Sequence, residues 1–289
     1  MTGSSSVTHV SDTALWVAMY RAMESERPDA LFRDRFARKL AGERGAQILA
    51  SMPKGRQFAW PMIVRTAVMD EIILRAVERD RVDTVLNLAA GLDTRAYRLR
   101  LPPSLRWIDA DLPDMIAYKE QQLAGERPIC QYDAAKVDLT DGAARRALLE
   151  QVAAQAERAL VITEGLLIYL TPEQVTELAR DLHGQPRFRW WLTDLALPRL
   201  LKMMERTWGK TLRAGNAPFR FAPAEGAAFF EARGWRVAEF RASWEESIRL
   251  KRSFPGSRFW YAVTALYPRR LREELRRMSA ILLLEPIDA

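Results

Sequence analysis

The sequence predicts an α/β fold, doubly wound around a mostly parallel sheet, with a helical cap ahead of the sheet. Three observations carry this prediction. From about residue 81 onward, short runs rich in Val, Ile and Leu alternate with stretches of helical period. The first such run, "VLNLAAGLDTRAYRLR" (Val85–Arg100), ends in two alanines and a glycine before it turns helical. A buried strand entering a small-residue turn is how such sheets seat a nucleotide-like ligand. Finally, carboxylates stand at the ends of four consecutive predicted strands, which is more than sheet packing requires.

The elements follow in order. Residues 1–80 form a tail and a helical cap; residues 81–289 form the core, with an insertion near 197–222. The start, "MTGSSSVTHVSDTALW", lacks a basic region and a long apolar run, so it reads as a short tail ending near Ser11 rather than a secretory signal. Trp16, Met19, Tyr20 and Met23 share one helical face. Pro28 and Asp29 suggest a helix start and Gly42 a stop. A long helix runs from about Pro61 to Arg79, burying Ile63, Ala67, Leu74 and Val77. "VDTVLNLA" is strand one and Thr94–Arg100 a short helix. "LRWIDAD" is strand two, followed by a helix over Asp114–Leu123. A third strand lies within "ICQYDAAKVDL", followed by a helix over Asp141–Ala156. "ALVITEGLLIYL" carries strand four. Thr171 and Pro172 are a good N-cap and first-turn pair for a helix ending near Gly184. "FRWWLTDLA" is strand five.

The insertion "LPRLLKMMERTWGKTLRAGNAPFRFA" then interrupts the alternation. Placed near the carboxyl edge of the sheet, it is either a pocket wall or a packed surface helix. A helix over Ala224–Arg233, strand six in "WRVAEFR", a helical stretch with "FWYAVTALY" and a final strand "SAILLLEP" complete the chain. That last strand is expected at the antiparallel edge.

Composition narrows the function. With 48% hydrophobic and 28% charged residues, the chain is an ordinary globular mixture. No apolar segment is long enough to span a bilayer. The single cysteine, Cys130, excludes an intrachain disulfide, and with His9 and His183 the only histidines no metal site is expected. A reducing, cytoplasmic setting fits. The formal charge of +7 could favour an anionic partner. However, the arginines are interleaved with Glu and Asp along helices, the pattern of a solvated, ion-paired face. Neither nucleic acid nor a membrane is expected as partner.

The strand ends carry the chemistry. Strand one offers Ala89, Ala90, Gly91 and Asp93; strand two, Asp109 and Asp111. Strand three is followed by Asp138 and Leu139. Strand four gives Glu164, Gly165 and then Tyr169, and strand five Thr193 and Asp194. A nicotinamide dinucleotide fits poorly, because its pyrophosphate needs a Gly-x-Gly-x-x-Gly turn at a helix N-terminus. Here the turn is Ala-Ala-Gly-Leu-Asp-Thr, and Asp93 would repel an anion. S-adenosylmethionine carries a sulfonium, an ammonium and a carboxylate but no phosphate, and is compatible with such a turn.

In order and spacing, "NLAAGLDTRAYRL", "IDADLPDM", "VDLTD" and "TEGLLIYLTPEQ" resemble the leucine carboxyl methyltransferase family over roughly Thr13–Trp191. The resemblance implies a seven-strand class I methyltransferase fold with S-adenosylmethionine as cofactor. It implies that Gly91 and Ala89 let the methionine part pass, that Asp111 rather than Asp109 holds the ribose, and that Asp138 and Leu139 frame the adenine. Glu164 and Gly165 would approach the cofactor from strand four. Arg65, in "VRTAVMDE", would pair with a carboxylate near the reaction centre, and Arg21 matches a second basic position. Some relatives have glycine where this chain has Ala89, which is expected to keep ordinary backbone angles.

On the residues alone, Asp111 is also readable as a turn former, Asp138 as a cap of the next helix, Arg65 as a surface residue and Tyr169 as a core aromatic. Glu164 is the hardest to explain structurally, since a buried carboxylate needs a partner. A carboxylate acceptor needs no general base, whereas a neutral hydroxyl often does. With so little histidine, the expected acceptor is a small molecule or peptide with an anionic oxygen, a polyketide-like metabolite favoured. Arg65 would orient it and Tyr169 would hydrogen-bond it. The rival readings are a cofactor-binding protein without catalysis and a nicotinamide-dependent oxidoreductase.

Overall fold

Strand and helix alternate from Thr84 onward in the computed structural model, which describes residues 12–52, 55–214, 218–254 and 256–287. The tail expected up to Ser11, His9 included, and residues 215–217 of the insertion lie outside these. The strands are β1 (Thr84–Leu88), β2 (Arg106–Asp111), β3 (Gln131–Lys136), β4 (Ala159–Thr163), β5 (Phe188–Ala196), β6 (Trp235–Ala242) and β7 (Ser279–Pro286). The helices of the cap are α1 (Asp12–Ser25), α2 (Ala37–Ser51) and α3 (Trp60–Glu78). Within the core come α4 (Arg95–Arg98), α5 (Pro113–Gln122), α6 (Gly142–Ala153), α7 (Pro172–His183), α8 (Pro198–Ala214), α9 (Ala228–Glu231), α10 (Ser243–Arg249), α11 (Ser257–Ala265) and α12 (Arg269–Arg276).

One seven-stranded sheet has the order β3-β2-β1-β4-β5-β7-β6. The first five strands in sequence pair in parallel, and β7 runs antiparallel to both neighbours. β1 and β4 are buried at every residue, because helices cover both faces of the sheet. Alternate side chains serve opposite layers. Leu86, Leu88 and Val161 pack with Leu149 of α6 and Leu178 of α7. Val85, Leu160 and Ile162 pack with Val68 and Ile72 of α3. α1 and α2 build a separate apolar cluster around Met19, Tyr20, Leu40 and Ile48. The N-cap expected at Thr171 is a complete capping box with Gln174.

Three expectations need correction. The final strand is not at the edge: β7 sits between β5 and β6, and β6 forms the edge. The run "AILLL" is buried along its length, which only an interior strand allows. The helix expected from Pro28 begins instead at Ala37. Residues before it form turns, and the Asp34 carboxylate caps the start by accepting from the backbone N–H of Phe36 and Ala37, each at 3.1 Å. Gly42, at φ 57°, interrupts α2 without ending it. Lastly, the helix expected over Ala224–Arg233 is a single turn, α9. Among the described residues, no helix is long and apolar enough to cross a membrane.

Candidate active site

The strand order reverses between β1 and β4, and a cavity of about 690 Å³ opens at the carboxyl ends of these strands. Its floor is the turn after β1. Ala89 and Gly91 both lie in the left-handed region, at φ 52° and 51°. The expectation that Ala89 keeps ordinary angles is therefore overturned. The turn doubles back so that Ala90 N–H reaches the Ala110 carbonyl and Asp93 N–H reaches the Ala90 carbonyl. For alanine, that backbone costs about 1–2 kcal/mol. Gly91 donates its N–H to Asp111 at 2.6 Å. A Cβ at Gly91 would also come within 3.3 Å of the Ala14 side chain on α1, so the cap closes directly over this turn.

The two acids of β2 have separate fates. Asp109 is fully buried, paired with Lys119 of α5 and hydrogen-bonded by Asn87, Trp107 and Tyr132. It is structural. Asp111 lines the cavity and accepts only the backbone N–H groups of Gly91 and Leu112. Burial pushes its carboxyl upward, and those two hydrogen bonds offset this only in part. Asp138 and Leu139 line the same end. Asp138 is solvent-exposed and accepts from the hydroxyl and N–H of Thr140. It does not cap the next helix; Asp141 does, accepting from Ala143 and Ala144.

Beyond them lies a lattice of ion pairs. Arg65 of α3 donates to Glu164 at 2.9 Å and to Asp194 of β5 at 3.1 Å. Arg95, with a side chain only 2% exposed, reaches Asp70 of α3, Asp93 of the β1 turn and the second oxygen of Glu164. Arg98 holds Asp70 from the other side. Glu164 thus joins Arg65 to Arg95. Burial alone would raise its carboxyl, but the two guanidinium groups hold it below the ordinary range. Burial likewise opposes ionisation of Asp93, and Arg95 reverses the effect, so Asp93 stays well below the usual carboxylate range. Gly165, at φ 67°, passes against Arg65: a Cβ there would lie 3.1 Å from the guanidinium. Its N–H donates to Asp194. Arg21, also at the cavity, is taken by Asp34 and the Leu92 carbonyl.

The opposite end of the cavity is apolar. Tyr169 stacks at a tilt on Phe219, 5.8 Å between centroids, and hydrogen-bonds Thr13 of α1. Burial raises its hydroxyl above the ordinary range. Trp60, Trp244 and Phe254 form a chain of ring contacts, and Leu200, Met203 and Met204 of α8 close the wall. Hence the insertion lines the cavity. His183 is absent from the lining and packs its ring against Trp235.

The structure therefore gathers Arg65, Ala89, Gly91, Asp111, Asp138, Leu139, Glu164, Gly165 and Tyr169 around one cavity. Sequence reasoning missed the roles of Asp70, Arg95, Arg98, Trp60, Trp244 and Phe254. One signal was available: Arg95 and Arg98 are one turn apart on a short helix between two buried strands, a position that demands carboxylate partners.

The leucine carboxyl methyltransferase family matches residues 14–183. The chain belongs to this family. Relatives named as candidate S-adenosyl-L-methionine-dependent methyltransferases include one from Parafrankia sp., 39% identical over 183 residues. That match covers 60% of this chain and 58% of the relative, under two thirds of its length. Another, from Saccharopolyspora erythraea, is 34% identical over 80% of this chain and 85% of its own. Among solved structures, a DUF574 family protein from Streptomyces avermitilis superposes with a TM-score of 0.62 at 12% identity, covering 98% of each chain. A candidate methyltransferase from Thermobifida fusca gives 0.59 at 12% identity, over 97% of this chain and 96% of its own. The fold is the seven-strand class I methyltransferase fold. The family match takes in the turn, the acids of β2 and β4, and Arg65. β5 and everything after it, with Trp244 and Phe254, lie beyond the matched residues.

Proposed function

We propose that this chain binds S-adenosylmethionine and methylates an oxygen that is already ionised, a carboxylate or acidic hydroxyl, on an apolar, polyketide-like small molecule or on a peptide. Bound, the cofactor supplies an electrophilic methyl group on a sulfonium. The residues present fit it. Among the described residues, five carboxylates line the cavity and no phosphate cradle does, which suits a cation and disfavours a pyrophosphate. Asp111, with two oxygens and only backbone partners, would accept ribose hydroxyls; Asp138 and Leu139 would frame the adenine. Gly91 and Ala89 would pass the methionine part. Arg65 has donors left after Glu164 and Asp194 and would take a carboxylate; Gly165 leaves the space for it.

One observation carries the choice of acceptor. Among the described residues, neither His nor Lys lines the cavity. Glu164, Asp93 and Asp194 are each held by arginine. No free general base remains near Tyr169. The chain's task is then to orient the acceptor and exclude water. Arg65 and the Tyr169 hydroxyl would aim the acceptor oxygen, and the apolar wall would keep the site dry.

Calorimetry with S-adenosylmethionine, followed by methyl release onto a panel of aromatic and aliphatic acids and phenols, tests the reading. Expected are binding and turnover that favours acceptors of low pKa at fixed pH. Binding without turnover on any acceptor would leave a cofactor-binding protein. Preference for neutral alcohols would refute the ionised-acceptor assignment.

A further inference from the structure

We propose that Arg276 is a specificity residue: it takes a second, distal anionic group on an elongated, flat acceptor whose body lies along Trp60, Trp244 and Phe254. This rests on the methyltransferase reading above and names the class of acceptor.

The argument starts from the cations at the cavity. Among the described residues, five arginines line it: Arg21, Arg65, Arg95, Arg98 and Arg276. Four are committed. Arg65 and Arg95 have side chains 11% and 2% exposed and hold two and three carboxylates each. Arg98 is locked on Asp70 and Arg21 on Asp34. Releasing any of them would strand a buried charge. Arg276 differs: its side chain is 51% exposed, and its partner is Glu245, itself 44% exposed. An exposed pair of this kind is worth little in water and is readily exchanged for a ligand anion.

Position supplies the second half. Trp60 stands five residues before Arg65 on α3, about 7.5 Å along the axis. Its ring meets Trp244 edge-on, with centroids 6.3 Å apart, and Trp244 lies tilted at 39° against Phe254, 5.8 Å away. Glu245, the partner of Arg276, is the next residue after Trp244. Arg65, the three rings and Arg276 thus line one and the same cavity. Stacking surfaces with a cation at the far end suit a planar body carrying an anion remote from the reacting oxygen.

The test uses the full chain saturated with S-adenosylhomocysteine. Calorimetry compares 6-hydroxy-2-naphthoate, which has a distal carboxylate, with 2-naphthol, which has none. The naphthoate should bind at least tenfold more tightly. Arg276→Gln should cut that preference below twofold while S-adenosylhomocysteine affinity stays unchanged, and Arg276→Lys should restore part of it. Glu245→Gln, which removes the competing anion, should strengthen naphthoate binding severalfold. A preference that survives Arg276→Gln, no preference in the wild type, or no binding of either probe by the loaded protein would each overturn the assignment. Failure of S-adenosylhomocysteine itself to bind would instead refute the methyltransferase reading and take this assignment with it.

Discussion

The two ends of the cavity are built on opposite principles. The end formed by β1, β2 and β4 is a lattice of charge: Arg95 alone ties α3, the β1 turn and Glu164 together. The far end, formed by α3, α8, α10 and the segment after it, is a wall of rings and thioethers with one exposed ion pair. The lattice is over-determined, since Arg65 and Arg95 hold two and three carboxylates, and Asp70 and Glu164 are each held by two guanidinium groups. Such a network keeps one geometry and tolerates little change. The apolar wall is held mainly by ring and thioether packing, so its shape can change without stranding a charge. On the function proposed above, a donor site that must hold one cofactor and an acceptor site that sets specificity would call for these different materials.

The comparison can be broken from either side. Arg95→Met should give the largest effect. It leaves Asp70, Asp93 and Glu164 short of a cation in a buried place, and stability should fall by about 3–5 kcal/mol, read as the midpoint of urea unfolding. A loss under about 1 kcal/mol would show that the lattice is not what holds this end together.

The same lattice predicts acid lability. Glu164, Asp93 and Asp34 all titrate below their ordinary values in the folded chain. Their contribution is thus complete above the unfolded values of 3.8 for Asp and 4.5 for Glu, and is lost as pH falls through the folded ones. Thermal unfolding midpoints should be flat from pH 7 to about 5 and drop steeply below that. In Glu164→Gln, the acid drop should be shallower and start from a lower plateau.

Next comes Asp111→Asn. Because burial raises this carboxyl, losing its charge should change stability by less than about 1 kcal/mol. Affinity for S-adenosylhomocysteine should nonetheless fall about 10- to 100-fold, the worth of a charged hydrogen-bond acceptor. Unchanged affinity would move the ribose contact elsewhere.

Trp244→Ala probes the far end. It removes ring contacts with Trp60 and Phe254, each worth about 0.5–1.5 kcal/mol. Acceptor KM should rise while S-adenosylhomocysteine affinity stays within about twofold. If both move together, the two ends are coupled and the contrast between them fails. The smallest effect belongs to Ala89→Gly. Relief of the left-handed backbone and the added freedom of the unfolded chain oppose each other, so stability should shift by less than about 1 kcal/mol.

Much of this was legible in the chain. "VLNLAAGLDTRAYRLR" announced a strand, a turn and a short helix, and these are β1, the Ala89–Gly91 turn and α4. The acids at the strand ends converge because parallel strands point their carboxyl ends the same way. What the residues alone left open was which acid is free; only the family resemblance favoured Asp111. Asp109 and Asp111 are two residues apart and chemically alike; only the arrival of Lys119, one helix later, consumes the first. On the residues alone Arg65 was equally readable as a surface arginine, and only the family resemblance placed it at the reaction centre, because nothing nearby in sequence shows that Glu164 and Asp194, 99 and 129 residues away, will meet it. Trp60, Trp244 and Phe254 were unreadable as a group for the same reason.

The sequence by itself determined the elements, the parallel sheet, and the small-residue turn and acids at its strand ends. Those depend on period, caps and turn residues within a few positions of one another. Tertiary structure alone decided that β7 enters the interior of the sheet, that Ala89 adopts a left-handed backbone, that Lys119 consumes Asp109, and that Arg276 keeps an exchangeable partner. Each of these depends on pairing between segments far apart in the chain, where charge and burial are balanced only after the layers have closed.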